Sequence, residues 1–258
     1  MRLMKRILSA AAVLALSASL LVGCSSGTAS SVPVSASSAA ESTVSSVEET
    51  ASSAVDENEA AAAQLLNDLT GSYQELWPVI LADEYKQTWL DDCTALVGED
   101  NAEAAFEKLS SMVTGDVYGE DAVKAYANGG GAYFCGFTNS LATLTFDGET
   151  STISGTDKDG NVLFSHTYHY IGMEPVHGLY EFESDDADSG EFTYFFLAPD
   201  TSAETYHIEF RYGSDAEALS QYDAGEYAYW VASGISTDCD QTMIDNCIEL
   251  FCTENLAD

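Results

Sequence analysis

The pattern of hydrophobic and polar positions changes its period near residue 130. Before that point, apolar residues recur every three or four positions, which is typical of amphipathic helices packed on a core. The segment 128–131, an asparagine followed by three glycines, ends this pattern. We therefore predict helices over residues 60–69, 83–97, 101–112 and 120–126.

Beyond the glycines, apolar residues alternate with polar ones in short runs separated by Gly, Asp and Pro turns. We predict strands over residues 132–138, 141–146, 150–155, 162–171, 179–183, 191–198 and 204–212. Consecutive short strands at hairpin spacing indicate an antiparallel barrel or a strongly curved sheet. Asp240 is placed to cap a last helix with an apolar stripe from Met243 to Phe251. The predicted fold class is mainly β, with flanking N-terminal and C-terminal helices.

The N-terminus carries an export signal. Arg2, Lys5 and Arg6 precede an apolar run too short to span a membrane comfortably. The run ends in Leu-Val-Gly-Cys at residues 21–24, the bacterial lipobox pattern, which predicts a signal peptide over 1–23 and lipid attachment at Cys24. The alternative is an ordinary cleaved signal with an incidental cysteine. The predicted location is the outer face of the bacterial cell membrane, with the protein held there by acyl chains.

Composition divides the rest of the chain into a tether and one domain. Residues 24–58 are rich in Ser and Ala and contain no aromatic residue, so they cannot bury enough apolar surface to fold. We predict a disordered tether there, dispensable for folding. Every Trp, Tyr and Phe lies in residues 60–258, which are predicted to form a single domain.

The charge of the chain excludes one class of partner. After removal of residues 1–23, five basic residues remain against 43 carboxylates, a net charge near −38. Phosphate contacts need clustered Lys and Arg, so the composition predicts no binding to nucleic acid. The same charge repels anionic lipid headgroups, so membrane attachment depends on the lipid anchor.

Five cysteines remain after lipidation: Cys93, Cys135, Cys239, Cys247 and Cys252. In an oxidising compartment they allow one or two disulfides, and the sequence leaves the pairing open. Cys247 and Cys252 are five apart on the predicted last helix and point in different directions, so they are not expected to pair with each other. No C-x-x-C motif occurs, which argues against zinc-finger and thioredoxin-like sites.

The four histidines all lie in the β region, and neutral imidazole is the commonest metal ligand in proteins. His166 and His169 are three apart on one predicted strand, so they face opposite sides and are not expected to share an ion. The segment 157–161 begins like a calcium loop, but Tyr168 stands where the loop needs a glutamate, so we interpret it as a hairpin turn. The acidic loop 185–190 is interpreted as a solvated turn. No catalytic motif occurs, and the chain is predicted not to be an enzyme.

Three stretches together resemble the ZinT family of bacterial metal-binding proteins. Residues 69–81 (LTGSYQELWPVIL) are similar to the opening run of that family, which precedes a helix. Residues 198–208 resemble its Ala-Pro and Ser-Ala-His-Phe-His-Ile signature with one extra residue, and 168–172 its Tyr-x-Tyr-Ala-Gly strand. The resemblance spans roughly residues 64–255.

The resemblance implies a calycin-like or lipocalin-like antiparallel barrel that binds zinc outside the cytoplasm and captures or buffers it for an ABC importer. Family ligand positions fall on Phe195, Thr205 and His207, so His207 is the one inherited histidine. Thr205 and Glu209 are expected to share its strand face. His169, His177 or a carboxylate must then complete a zinc site. The alternative hypothesis is a ZinT-like barrel that has lost its metal and binds another ligand or protein partner.

Overall fold

The computed structural model describes residues 57–113, 115, 117–130 and 133–257. Cys24, the predicted signal peptide and nearly all of the predicted tether lie outside these residues. Within them, no helix combines the length and apolar character needed to cross a membrane.

The helices flank the strands at both ends of the described chain. Helix α1 covers 57–68, and α2 (Leu76–Ile80) follows the first strand. After a 3₁₀ turn at Asp83–Tyr85 come α3 (Lys86–Val97), α4 (Glu99–Ser111) and α5 (Glu120–Ala127). The two short helices α6 (Ser202–Thr205) and α7 (Ala216–Leu219) lie between strands, and α8 (Gln241–Leu256) ends the fold. The four predicted N-terminal helices and the predicted last helix are all present.

Eight strands form a closed antiparallel barrel in sequential order. They are β1 (Gly71–Glu75), β2 (Thr143–Asp147), β3 (Thr152–Thr156), β4 (Val162–Met173), β5 (Tyr180–Ser184), β6 (Tyr194–Leu197), β7 (Ile208–Gly213) and β8 (Ala232–Ser236). Each strand pairs with the next, and β1 pairs with β8 to close the barrel. This up-and-down closure is the lipocalin-like architecture, so the predicted fold class is confirmed.

Aromatic side chains fill the interior of the barrel. Phe195 on β6 is fully buried, with its ring centroid 5.4 Å from those of Tyr168 and Tyr212 and 5.9 Å from that of Phe164. Phe146 of β2, Ile153 of β3 and Phe182 of β5 belong to the same buried cluster, because every second residue of a strand points to one face. The interior is therefore a packed core.

A second apolar cluster lies outside the barrel, where α3, α4 and α8 pack together. Trp89 of α3 is fully buried there, and its indole donates a hydrogen bond to the carbonyl of Ile80 at 2.7 Å. Helix α8 begins as predicted, because the Asp240 carboxylate accepts a hydrogen bond from the backbone N–H of Met243 at 2.9 Å. The helices thus cover one wall of the barrel.

Two of the predicted strands need correction. Residues 133–138 contain only an isolated bridge from Phe134 to Trp230, so the strand predicted over 132–138 is wrong. The strand predicted over 204–212 begins only at Ile208, because 202–205 form a helical turn and Tyr206 takes a left-handed conformation with φ 66°. Strands β1 and β8, which close the barrel, were not predicted.

Candidate functional site

His207 lies where the α6 turn enters β7, and it is wedged between the barrel wall and α8. Its side chain is buried, with 7 % exposure, and its ring packs on Phe251 of α8 with centroids 5.2 Å apart. The left-handed Tyr206 turns the chain just before it, so Thr205 stands on the helical turn and does not share a strand face with His207. The expectation that Thr205 shares a strand face with His207 was wrong.

The two ring nitrogens of His207 have different surroundings. Nδ1 lies 2.7 Å from the carbonyl oxygen of Thr205, and a carbonyl only accepts, so Nδ1 carries a proton and donates it. Nε2 lies 3.8 Å from Oε1 of Glu209, whose side chain is 10 % exposed. The fixed orientation of the ring therefore presents Nε2 to a carboxylate in a nearly dry corner.

A thiol joins the imidazole and the carboxylate in this corner. Cys247 of α8 is fully buried beside His207. Burial lowers the pKa of His207, but hydrogen bonding and charge interaction with Cys247 and Glu209 more than offset this, and the pKa lies well above 6.5. Burial raises the pKa of nearby Asp200, and Glu209 raises it further. We call His207, Glu209 and Cys247 the His207 corner.

Cys247 was not among the residues singled out from the sequence for metal binding. The signal that points to it is the apolar stripe of the last helix, which includes position 247 and packs against the barrel. The sequence did not show that His207 would meet this stripe, because the contact depends on where the closed barrel places the start of β7.

His169 lies far from the His207 corner. It pairs with Glu183 of β5, and Glu183 pairs with Tyr194 of β6. Tyr194 in turn pairs with Gly213 of β7, so His169 and Gly213 lie at the same level of the sheet. Gly213 is six residues beyond His207, so the two histidines lie about 20 Å apart along the strand direction. They cannot bind one ion together.

The acidic loop 185–190 occupies the end of the barrel near His169. Nδ1 of His169 lies 2.7 Å from Oδ1 of Asp185, and Nδ1 of His166 lies 2.7 Å from Oδ2 of Asp186. His169 is half-exposed, whereas the side chain of His166 is 15 % exposed and turned inward, as their spacing on one strand predicts. Each histidine has its own carboxylate partner.

His177 lies in the β4–β5 turn, at the same end of the barrel as His207, but it has its own set of partners. Its Nδ1 lies 3.1 Å from Oε2 of Glu174, and its ring packs on Tyr222 with centroids 3.8 Å apart. Glu174 is fully buried and also accepts hydrogen bonds from the backbone N–H groups of Val176 and His177. This carboxylate fixes the turn.

Within the described residues, no group of three or more His, Cys, Asp or Glu side chains is placed to hold a metal ion. Phe195, at a family ligand position, points into the aromatic core, and Thr205 bonds to the backbone. The three-histidine set implied by the resemblance therefore does not fit this chain. The mixed nitrogen, oxygen and sulfur donors of the His207 corner do fit zinc chemically.

A surface pocket of about 350 Å³ lies outside the barrel near α2. Its walls are mainly apolar, and Glu75 supplies a carboxylate. Oε1 of Glu75 accepts a hydrogen bond from the backbone N–H of Phe137 at 2.5 Å. Trp77 lines the same pocket, and its buried indole lies beside the thiol of Cys135.

No protein-family model matches the sequence, and no curated protein matches it. Two solved structures are similar in fold. The Zn(II)-bound ZinT-like domain of Streptococcus pneumoniae AdcA has 15 % identity and a TM-score of 0.45, with 71 % of this chain and 89 % of that chain covered. Zn(II)-bound AdcA from Streptococcus pneumoniae has 15 % identity and a TM-score of 0.41, with 75 % of this chain covered. The chain spans about a third of that protein, 35 % of its length.

Proposed function

We propose that this protein is an extracytoplasmic, lipid-anchored zinc-binding protein that captures or buffers zinc for an ABC importer, and that the His207 corner receives the metal. The supporting observation is the orientation of His207, whose Nδ1 donates to the Thr205 carbonyl while Nε2 faces Glu209 beside Cys247.

The hydrogen bond at Nδ1 is the arrangement that metal-binding histidines use. Such histidines donate the second ring N–H to a backbone carbonyl or a carboxylate, which fixes the tautomer and aims the other nitrogen at the metal. His207 is the candidate histidine that binds a backbone carbonyl in this way. His169 and His177 direct their Nδ1 atoms at carboxylates, which fix a ring equally well. His207 differs from them because its Nε2 faces a second donor, Glu209, beside the Cys247 thiol.

The spacing of the donors is close to that of zinc ligands. Two nitrogen or oxygen ligands at about 2.0–2.1 Å from a tetrahedral zinc lie roughly 3.4 Å apart. Nε2 of His207 and Oε1 of Glu209 lie 3.8 Å apart, so a movement of a few tenths of an ångström brings both to one ion. Cys247 offers sulfur, the donor that zinc binds most strongly among these three.

Zinc has to displace protons from this corner. The raised pKa of His207 means that the imidazole holds its proton more strongly in the metal-free protein. A ligand must be deprotonated to coordinate, so zinc binding releases protons and weakens as the pH falls. Because protons compete with zinc for the same ligand atoms, the protein can bind zinc and release it again.

Calorimetric titration of zinc into the mature protein tests the proposal. We expect His207→Ala to lower the affinity by about a hundredfold, since loss of even a supporting residue around a metal costs 10–100-fold. His169→Ala, at the far end of the barrel, is the matched control and should bind like the wild type. Glu209→Gln provides a second variant that keeps the side-chain volume. Equal affinity in the wild type and in folded His207→Ala and Glu209→Gln would place the ion on surface carboxylates and overturn the proposal.

The pocket near α2 supports a second candidate function, the binding of a small amphipathic cation. Its volume of about 350 Å³ lies in the range of small-molecule sites, and its walls are mainly apolar. Glu75 supplies a carboxylate at the pocket wall. The ligand class is therefore an organic cation with an apolar body.

Calorimetry with hexylammonium and with hexanoate tests this candidate. Hexylammonium should bind more tightly than hexanoate because the pocket carries a carboxylate. Leu81→Trp fills the pocket and should abolish binding, whereas Leu163→Trp, on an exposed position of β4, should not. Absence of hexylammonium binding, or equal binding by Leu81→Trp, would count against it.

A further inference from the structure

Two buried thiols meet between the helices that cover the barrel. Cys93 lies on α3 and Cys252 on α8, both side chains are fully buried, and their sulfur atoms are 3.9 Å apart. The other described cysteines have different surroundings: Cys247 lies beside His207, Cys135 beside Ser233 and Trp77, and Cys239 is partly exposed near Cys247. Within the described residues, Cys93 and Cys252 are the pair whose sulfur atoms are in contact.

The geometry needs little change for a covalent bond. The sulfur atoms are near van der Waals contact, and a disulfide requires a separation of about 2.05 Å. Rotation of the two side chains about their Cα–Cβ bonds supplies a movement of this size. The packing of α3 against α8 already places the two backbones side by side.

We propose that Cys93 and Cys252 form a disulfide when the chain folds under oxidising conditions, and that the bond ties α3 to α8. The two thiols lose two protons and two electrons as the S–S bond forms. A disulfide oxidant, such as oxidised glutathione or a thiol–disulfide oxidoreductase, takes the electrons and is reduced to two thiols. In the cell the bond depends on the extracytoplasmic location proposed above.

The bond forms during folding and not afterwards. Burial raises the pKa of both thiols, and Asp92 beside them raises it further, so the folded protein presents almost no thiolate to an oxidant. Both sulfurs are also shielded from solvent. Oxidation therefore takes place before α8 has settled on α3, and reduction of the finished protein is slow for the same reasons.

The expected consequence is a large gain in thermal stability. The two cysteines are 159 positions apart, so the bond closes a loop that contains every strand after β1. Cross-linking so distant a pair restricts the unfolded chain strongly. For a domain of this size, that gain corresponds to a rise in melting temperature of roughly 10 °C or more.

Refolding the mature protein with oxidised and reduced glutathione, followed by thiol alkylation and peptide mapping, tests the pairing. We expect one linked peptide pair containing Cys93 and Cys252, with Cys135, Cys239 and Cys247 alkylated. The wild type and the control Cys239→Ala should melt at a lower temperature after refolding in reductant than after refolding in oxidised glutathione, whereas Cys93→Ala and Cys252→Ala should show no difference. Alkylation of all five cysteines, or a link between any other pair, would overturn the proposal.

Two further measurements separate this inference from the proposed function. Zinc titration of Cys252→Ala should give wild-type affinity, because Cys252 lies outside the His207 corner. Mapping of protein taken from the membrane fraction of cells treated with a thiol-blocking reagent reports on the compartment. A bond that forms in glutathione but is missing in cells supports the pairing and contradicts the proposed location.

Discussion

At the scale of single residues, Arg211 shows how a charge can be buried with backbone carbonyls as its hydrogen-bond acceptors. Its guanidinium is fully buried on the outer face of β7 and donates to the backbone carbonyls of Leu219, Gln221 and Tyr227. It also lies over the ring of Tyr222, with its carbon 4.2 Å from the centroid. Arg211 therefore fastens the segment after β7 to the barrel wall. The sequence gives no sign of this, because backbone carbonyls leave no pattern in side-chain identity.

Asp157 carries a prediction with a defined pH dependence. Its carboxylate accepts hydrogen bonds from the backbone N–H of Asp159 at 2.9 Å and from the backbone and side chain of Asn161 at 2.8 and 2.9 Å. These bonds, above all those from Asn161, lower the pKa of Asp157 below its usual value. The group thus stabilises the turn above the unfolded pKa of about 3.9, and the contribution is lost as the pH falls through the lower folded value.

We therefore expect Asp157→Ala to lower the melting temperature by a few degrees at pH 7, with the difference from wild type shrinking below about pH 4. Thermal unfolding followed by circular dichroism at several pH values measures this. Asp159→Ala, in the same turn, is the control and should melt like the wild type at pH 7, because the bond from Asp159 to Asp157 comes from its backbone N–H. A difference that stayed constant down to pH 2.5 would show that the carboxylate charge does not hold the turn. The same hydrogen bonds support the sequence interpretation of 157–161 as a hairpin turn.

The residues of the candidate site could be predicted only in part. The motif resemblance drew attention to His207, which the structure places in a corner rich in donor atoms. It also assumed that Thr205 lies on the same strand face, and the left-handed Tyr206 prevents this. Cys247 comes from a helix about 40 residues later, so its proximity depends on tertiary packing and not on any local pattern.

At the scale of elements, the helices were predicted well because their apolar period is strong. The α8 stripe and its Asp240 cap are both present as expected. The two closing strands were missed for different reasons. In β1 only Tyr73 is buried, so the alternation of apolar and polar residues is too weak to predict a strand. In β8 the small residues of Ala232–Ser236 are buried on both faces, because helices cover the outer face, and no alternation exists.

The false strand over 132–138 has a physical reason as well. The apolar residues there do become buried, with Cys135 at 3 % and Phe137 at 8 % exposure. The segment runs across the outer wall and bonds to the backbone around Trp230 without joining the barrel ladder. An alternating pattern indicates burial on one side, and burial alone does not make a strand.

At the scale of the whole molecule, the charge comes from carboxylates that have few basic side chains to pair with. Lys124 pairs with Glu120 and Asp121 on α5, and Lys86 lies 4.0 Å from Glu103. These exposed pairs contribute little to stability. Most of the 43 carboxylates of the chain therefore remain as net negative charge, which keeps the molecule away from anionic surfaces. We therefore expect membrane attachment to depend on the proposed lipid anchor.

Membrane attachment is predicted to depend on Cys24. We expect Cys24→Ser to move the protein from the membrane fraction to the soluble fraction, or to leave it unprocessed, because acyl chains are attached through that thiol. Fractionation of cells followed by detergent phase partition measures the change. Cys239→Ser, which keeps the lipobox, should remain in the membrane fraction. A processed Cys24→Ser protein that still sediments with membranes would contradict the prediction.

The pairing of β1 with β8 has a consequence for the order in which the chain acquires its structure. Tyr73 pairs with Ser236, so the first strand to be made needs the last one as its neighbour. Until residue 236 is in place, the sheet has two open edges that can pair with another chain. Contacts at such long sequence separation also form slowly. Closure is thus the step at which self-association competes most strongly with folding, and its outcome depends on how quickly the carboxyl-terminal quarter of the chain follows the rest.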